Sequence, residues 1–256
     1  VQRPDEIPNN DVWVLPIDNQ RSIWSKGDGI YLAATATAED MKRSEELEDA
    51  VGGIASAMAL MGSLPIRRRA TIAGNIVNAS PIGDMTIILL ALDAEIGLVA
   101  NGSRRNLPLR DFFLGYKKLA LRPEELVEWV RIHKSPRHHL FNFEKVSKRT
   151  HLDIASVNSA IALEIEDNRI HSACLSAGGV APVPMQLPRT ADFLSGRSPD
   201  SDTALGAAEI ARSEVTPISD VRGSADYNRL LLGQLVIAHF NVLFGIEAGH
   251  VGEASA

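Results

Sequence analysis

The chain contains one cysteine, Cys174, among 256 residues. A lone thiol cannot assemble an iron–sulfur cluster or a closed zinc site, each of which needs several soft ligands. Nor can it form an internal disulfide, so a reducing, cytoplasmic setting is the expectation. Aromatic residues are scarce, at 5%; Trp13, Trp24 and Trp129 lie too far apart in sequence to predict a stacking platform. Positive charge is not in excess: the net charge of −6 argues against a broad nucleic-acid surface. No stretch reaches the ~18 apolar residues of a membrane span. The most apolar segment, 230–246, is interrupted by Gly233, Gln234, His239 and Asn241. The N-terminus lacks the charged, apolar and cleavage-site series of a secretory leader. It begins at Val1 and runs into Pro4, Pro8, Asn9 and Asn10, as though the chain were entered partway through. Internal repeats and low-complexity tracts are also missing.

What remains is an ordinary globular balance of 45% hydrophobic and 23% charged residues, enough for one large core or two modest ones. Residues 22–25 and 30–33 read as a hairpin about the turn pair Asp28-Gly29. Helices are predicted over 38–44, 47–61 and 87–94, and strands over 96–100 and 126–132, with Asn101-Gly102 as a turn. Ser135-Pro136-Arg137-His138-His139 is the best boundary in mid-chain. Strands at 142–146, 155–165 and 170–177 follow, the last two joined by Glu166-Asp167-Asn168. Helices at 191–195, 204–213 and 227–244 complete the chain. Strands followed by a run of helices predict an α+β second domain, with domains at 1–134 and 140–250.

The segment from Ala70 to Met85 is the most informative. It gathers hydroxyls, amides, glycines and one carboxylate with no aromatic residue. Backbone N–H groups in such a stretch can approach an anion closely, and Thr71, Asn75 and Ser80 can complete a phosphate cradle. Asp84, after Gly83, can accept hydrogen bonds from ligand hydroxyls. A buried turn with satisfied amides explains the same composition equally well. The segment is neither a P-loop nor a G-x-G-x-x-G fingerprint. Other features read more plainly. His138-His139 reads as a solvated loop rather than a metal site. Arg67-Arg68-Arg69 suits either an anionic partner or a salt-bridged turn. Ser176 to Val180 reads as a strand end, and Cys174 as inert core.

The residues then carry a resemblance. The stretch Ala70-Thr71-Ile72-Ala73-Gly74-Asn75-Ile76-Val77-Asn78-Ala79-Ser80-Pro81-Ile82-Gly83-Asp84 resembles the second flavin-binding motif in the FAD domain of xanthine dehydrogenases, aldehyde oxidases and related molybdenum hydroxylases. Ile66-Arg67 before it resembles the family's lead-in. Leu92-Asp93-Ala94-Glu95 and Gly102-Ser103-Arg104-Arg105 resemble the family's segments on the C-terminal side of that motif. Phe112-Phe113-Leu114-Gly115-Tyr116-Lys117-Lys118, with Leu121 and Pro123-Glu124-Glu125, is similar to the xanthine dehydrogenase branch. Lys145-Val146-Ser147-Lys148-Arg149 with Asp153-Ile154-Ala155 resembles the opening of the family's C-terminal flavoprotein domain, and Arg222-Gly223-Ser224-Ala225-Asp226-Tyr227 the entry to its last helix.

The resemblance implies an FAD-binding domain of the molybdenum-hydroxylase type followed by a CO-dehydrogenase-flavoprotein-type α+β domain. It implies that Thr71, Gly74 and Asn75 face the FAD pyrophosphate and that Ser80 and Asp84 lie near the phosphates and the ribitol or ribose hydroxyls. Val127 or Leu126 would pack on the isoalloxazine, and Lys145 would lie beside it, a cation that stabilises negative charge on the ring. Electrons would come from 2Fe-2S clusters and pass to NAD or another acceptor. The clusters and the molybdenum cofactor belong to partners, an iron–sulfur and a molybdopterin-binding subunit or domain, since this chain cannot house them. Three departures stand out. Arg68 replaces a common asparagine of the family. Ala73 occupies a usual glycine position and requires a negative φ there. The family's first flavin motif, a glycine-glycine-threonine-aspartate-like loop in a small βαβ segment, has no counterpart before Trp13. The expectation is a chain that lacks that segment, as a piece of a longer polypeptide. A non-catalytic scaffold with a degenerate flavin site stays open as an alternative. So does the FAD component of another molybdenum hydroxylase, one oxidising aldehydes, CO or N-heterocycles. A sugar-nucleotide reductase or alcohol oxidase would not share the 112–118 and 145–153 signatures.

Overall fold

The computed structural model describes residues 22–135, 138–149, 153–219 and 223–249. Expectations resting on residues 1–21, which include Trp13 and the stretch without a counterpart of the first flavin motif, on Pro136-Arg137 and on Arg222 fall outside these.

Strands β1 (Ile23–Lys26) and β2 (Gly29–Ala33) form the expected hairpin, with its turn one residue earlier than Asp28-Gly29. Lys26 pairs with Gly29, leaving Gly27 and Asp28 as the loop, with Gly27 at φ +60°. A two-residue hairpin that opens on glycine gains that positive φ without a Cβ penalty. Strand β2 pairs with β7 (Leu126–His133), which pairs with β3 (Glu95–Ala100), and β3 with β4 (Ser103–Pro108). The result is an antiparallel sheet in the order β1-β2-β7-β3-β4. Edge strand β4, Ser-Arg-Arg-Asn-Leu-Pro, is mostly solvated and carries little of the apolar alternation that marks a strand in sequence. A small hairpin, β5 (Phe113–Gly115) with β6 (Lys118–Leu119), lies between β4 and β7 in the chain. Trp24 and Trp129 prove less scattered than their spacing implied. Trp24 stacks on Tyr31 at 5.6 Å, and Tyr31 meets Trp129 edge-on at 5.3 Å across three neighbouring strands. The Trp129 ring lies over Gly97, where a Cβ would come within 2.2 Å of it.

The single helix predicted over 47–61 is two. Helix α1 (Ala38–Arg43) is followed by α2 (Glu45–Val51) and α3 (Ile54–Ala59), broken at Gly52 and Gly53 with φ +70° and +79°. The Glu48 carboxylate bridges the break, accepting from the N–H groups of Gly53 and Ala55, both at 2.8 Å. Those are first-turn donors that a helix start otherwise leaves unpaired. Two short helices come next, α4 (Leu64–Arg67) and α5 (Ile72–Val77). Arg67 is folded inward onto Glu39 at 2.9 Å and the Gly62 carbonyl at 2.8 Å, and it holds the Glu39 carboxyl below its ordinary pKa. Helix α6 (Asp84–Ala91) begins three residues before the predicted start, and all of its residues are buried.

The second sheet is antiparallel, β11-β10-β9-β8, from β8 (His138–Ser147), β9 (Ala155–Glu166), β10 (Arg169–Gly178) and β11 (Met185–Gln186). Asp167 and Asn168, at φ +50° and +56°, make the predicted turn. Strand alternation gives the sheet two working faces. Phe141, Phe143, Ala160 and Ala162 join the core that contains α6 and the first sheet. Val157, Ile161, Leu163 and Leu175 join a second core with α7 (Pro188–Leu194), α8 (Ser201–Glu214) and α9 (Ala225–Phe244). Helix α6 therefore packs on the second sheet and belongs to the same apolar core as the first. The architecture is the α+β arrangement expected. No helix among the described residues is long and apolar enough to cross a membrane.

Candidate functional site

The small-residue segment is organised by the start of α5. Residues 70–73 run beside 34–38, with Ile72 N–H donating to the Ala36 carbonyl at 2.8 Å and Ala73 N–H to the Ala34 carbonyl at 3.0 Å. Thr71 caps α5: its hydroxyl accepts from the Gly74 N–H at 3.1 Å. Gly74 is exposed, and a Cβ there would lie 2.8 Å from the Thr71 Oγ1, so glycine lets cap and open surface coexist. Ala73 sits inside the helix and is not among the positive-φ residues, which meets the requirement set by its methyl group. Ala79, at φ +48°, turns the chain out of α5 into Ser80-Pro81. The Ser80 hydroxyl is half-buried and accepts from the Ile82 N–H at 3.5 Å.

Asn75 has a structural duty that its sequence position did not reveal. Its Oδ1 accepts from the Thr86 N–H at 3.1 Å and the Thr86 hydroxyl at 2.9 Å. Gly83, at the N-cap of α6, has no side chain to cap with, and Asn75 does so from across the loop. Asn75 itself is half-buried, and both of these bonds fall on its Oδ1.

Asp84 and Lys145, 61 residues apart, form a buried pair. The Lys145 Nζ lies 2.7 Å from the Asp84 Oδ2, and their side chains are 7% and 10% exposed. Lys145 also reaches the Leu60 carbonyl at 3.5 Å, at the end of α3, where Leu60 itself is exposed. The other carboxylate oxygen, Oδ1, accepts from the Asn158 Nδ2 at 2.7 Å. Burial pushes the Asp84 carboxyl upward in pKa, opposed by the Lys145 ammonium and then by the Asn158 amide. Asp84 therefore has a protein donor on each oxygen, and each oxygen keeps a second lone pair.

Further residues lock this loop and were not singled out from sequence. Asn158 also donates to the Ile82 carbonyl at 3.2 Å. The Gly179 N–H donates to the Pro81 carbonyl at 3.0 Å, and the Asn228 Nδ2 to the Gly179 carbonyl at 3.2 Å. A Cβ on Gly178 would lie 2.6 Å from the Pro81 carbonyl oxygen and 2.3 Å from the Asn158 Oδ1. The Gly178-Gly179 pair at the end of β10 was the readable signal: glycines where a strand ends mark close backbone approach. A lone asparagine in an apolar strand gave no such signal.

Asn75, Asp84 and Lys145 thus lie around one loop, with Thr71, Gly74 and Ser80 on its two approaches. Val127 is set apart. It pairs with Leu98 in the first sheet and is 4% exposed, while its half-buried neighbour Leu126 begins the strand that runs beside α5. Cys174 lies in β10, and burial raises its thiol to about 12. Among the described residues no cluster of three or more His, Cys, Asp or Glu could hold a metal.

A segment of glycines and small residues that is exposed at Gly74 and half-buried at Thr71, Asn75 and Ser80, with a buried ammonium–carboxylate pair beneath it, suits a polyanionic ligand. Comparison with known proteins identifies the class. Residues 5–135 match the model of the FAD binding domain in molybdopterin dehydrogenase, and residues 143–242 that of the CO dehydrogenase flavoprotein C-terminal domain. The chain belongs to the family of FAD-binding components of molybdopterin dehydrogenases. It is 25% identical to the carbon monoxide dehydrogenase medium chain of Hydrogenophaga pseudoflava, over 90% of this chain and 79% of that one. It is 32% identical to a xanthine dehydrogenase of Blastobotrys adeninivorans over 79% of this chain, but spans only 15% of that protein's length. The chain likewise spans 12% of the xanthine dehydrogenase 1 of Arabidopsis thaliana. A solved carbon monoxide dehydrogenase from Hydrogenophaga pseudoflava superposes with a TM-score of 0.83 at 24% identity, covering 88% of this chain and 78% of the other. That likeness establishes the fold.

Proposed function

We propose that the chain holds FAD along residues 70–84 as the flavin component of a molybdenum hydroxylase. On this reading Thr71, Gly74 and the Asn75 amide face the pyrophosphate, and Ser80 and Asp84 lie near the phosphates and sugar or ribitol hydroxyls. Leu126 or Val127 offers the aliphatic contact, and Lys145 sets a fixed positive charge beside the ring. The observation that supports it most is the buried Lys145–Asp84 pair, built next to a solvent-facing loop of small residues. A buried ion pair contributes little net stability compared with apolar packing, so its retention fits a local electrostatic task.

When bound, FAD supplies the redox chemistry, accepting electrons and passing them on as hydride or singly. The residues of this chain bind the phosphates, shield the pair from water and hold the ammonium in place. Electrons would arrive from 2Fe-2S clusters in an iron–sulfur partner, downstream of a molybdopterin-binding partner, and leave to NAD or another acceptor in the cytoplasm. Xanthine is the first substrate reading, on the 112–118 match. Relatives named for carbon monoxide, nicotinate and nicotine make those substrate classes direct competitors.

The test is an absorption spectrum of the complex purified with its companion chains, together with their masses and metal content. Flavin bands, releasable FAD and partners carrying iron and molybdenum are the expected result. A complex that contains those partners but no flavin would overturn the assignment and leave a docking scaffold.

A further inference from the structure

Asn158 is fully buried in β9, on the face that meets α6. It stands directly opposite Lys145 in the β8–β9 register, and the two side chains take one oxygen each of the same Asp84 carboxylate, both at 2.7 Å. The same amide nitrogen holds the Ile82 carbonyl. Its Oδ1 is buried with no hydrogen-bond partner, pressed towards the space that Gly178 leaves open. An unsatisfied buried acceptor costs free energy, and leucine of nearly the same shape would fill the position without that cost. Packing alone therefore gives no reason for an amide here; its donor does.

We propose that Asn158 is a positioning residue for the flavin site. It fixes Asp84, so that the carboxylate anchors the Lys145 ammonium, and it pins the backbone of the phosphate-side loop at Ile82. The inference rests on the reading of Lys145 and the 70–84 segment as flavin-binding. Without the Asn158 donor, Asp84 keeps Lys145 alone as its charge partner in a site where burial already disfavours the carboxylate. The carboxylate and the ammonium then lose their fixed position together.

The test uses the assembled complex and two readouts, FAD release followed by fluorescence and the midpoint potential of the bound flavin against pH. Asn158→Leu is expected to weaken FAD retention about tenfold, as for a lost hydrogen bond to a charged group. It should also shift the potential in the same direction as Lys145→Met. Asn158→Asp should behave like Asn158→Leu at about pH 8, where two facing carboxylates repel. At about pH 5.5 it should recover towards wild type, because a shared proton restores a donor. This second variant keeps the test decisive if Asn158→Leu fails to assemble. If Asn158→Leu lowers thermal stability but leaves retention and potential at wild-type values while Lys145→Met moves them, the positioning role is overturned and the flavin reading stands. If Lys145→Met moves neither quantity, the flavin reading of Lys145 falls, and this inference with it.

Discussion

Acidifying the protein should expose the cost of keeping His239 neutral. His239 lies on α9, fully buried against the helical face of the second sheet. Its Nδ1 is 2.9 Å from the Asn142 Nδ2, which can only donate, so Nδ1 must be the unprotonated nitrogen. Nε2 then carries the hydrogen and donates to the Ser159 hydroxyl at 3.1 Å, while that hydroxyl donates onward to the Ser176 carbonyl at 3.0 Å. Burial pushes the imidazole down to about 3. In the unfolded chain the same group titrates near ~6.5. Above that pH both states are neutral and nothing is lost. Below it the unfolded chain binds a proton that the folded protein refuses, and stability declines progressively until the pH reaches about 3. Between about pH 7.5 and pH 5 the loss from this residue is about 2 kcal/mol, with a limiting slope of ~1.4 kcal/mol per pH unit. Urea unfolding at a series of pH values measures it, with His239→Gln as the comparison because glutamine donates and accepts but does not titrate here. The variant should be less pH-sensitive than wild type by that amount across the window. Identical pH dependence in the two proteins would refute the buried neutral imidazole.

Gly97→Ala should lower stability by about 1–3 kcal/mol through overpacking, because the added Cβ meets the Trp129 ring at 2.2 Å; an unchanged melting temperature would contradict this. Asn75→Ala should remove the cap on α6, at about 1 kcal/mol, and reduce flavin content together. Thermal melting and FAD release measure the two effects, and loss of neither would remove Asn75 from both roles. Cys174, half-buried in β10, should resist iodoacetamide in the folded protein and react once the chain is unfolded in urea, since its thiol is raised to about 12; rapid labelling of the native protein would refute the raised thiol.

The elements with strong periodicity were legible: β3, β7, β9, β10 and the long helix α9 fall close to the stretches predicted for them. His138-His139, read as a loop, instead opens β8 opposite Ile165 and Glu164. Other errors came where a single backbone conformation decides. Gly52-Gly53 splits what apolar spacing alone presents as one helix, and Gly27 moves the hairpin turn by one residue. Helix α5 is hidden in a stretch whose small residues read as a phosphate cradle or a buried turn, although Thr71 provides an N-cap three positions before Gly74. The candidate site was readable as a contiguous motif, not as a three-dimensional arrangement. That Lys145 and Asp84 are partners depends on β9, the neighbour of β8, being laid against α6, and periodicity carries no information about which strand meets which helix. The same holds for Asn158, Gly178 and Asn228, which matter only because the second sheet closes on the loop.

Helix α6 has no side facing water: it packs on β9 and β10 and shares one apolar core with the first sheet. The two halves are therefore not neighbours joined by a linker but rooms with a common wall. Cutting the chain between them would strip an apolar helix on one part and an apolar sheet face on the other, so neither fragment should persist alone in solution. Any force that pries the halves apart must also pull on the loop that opens α6. If flavin is held at that loop, its capture and the cohesion of the two described halves would be, mechanically, one property.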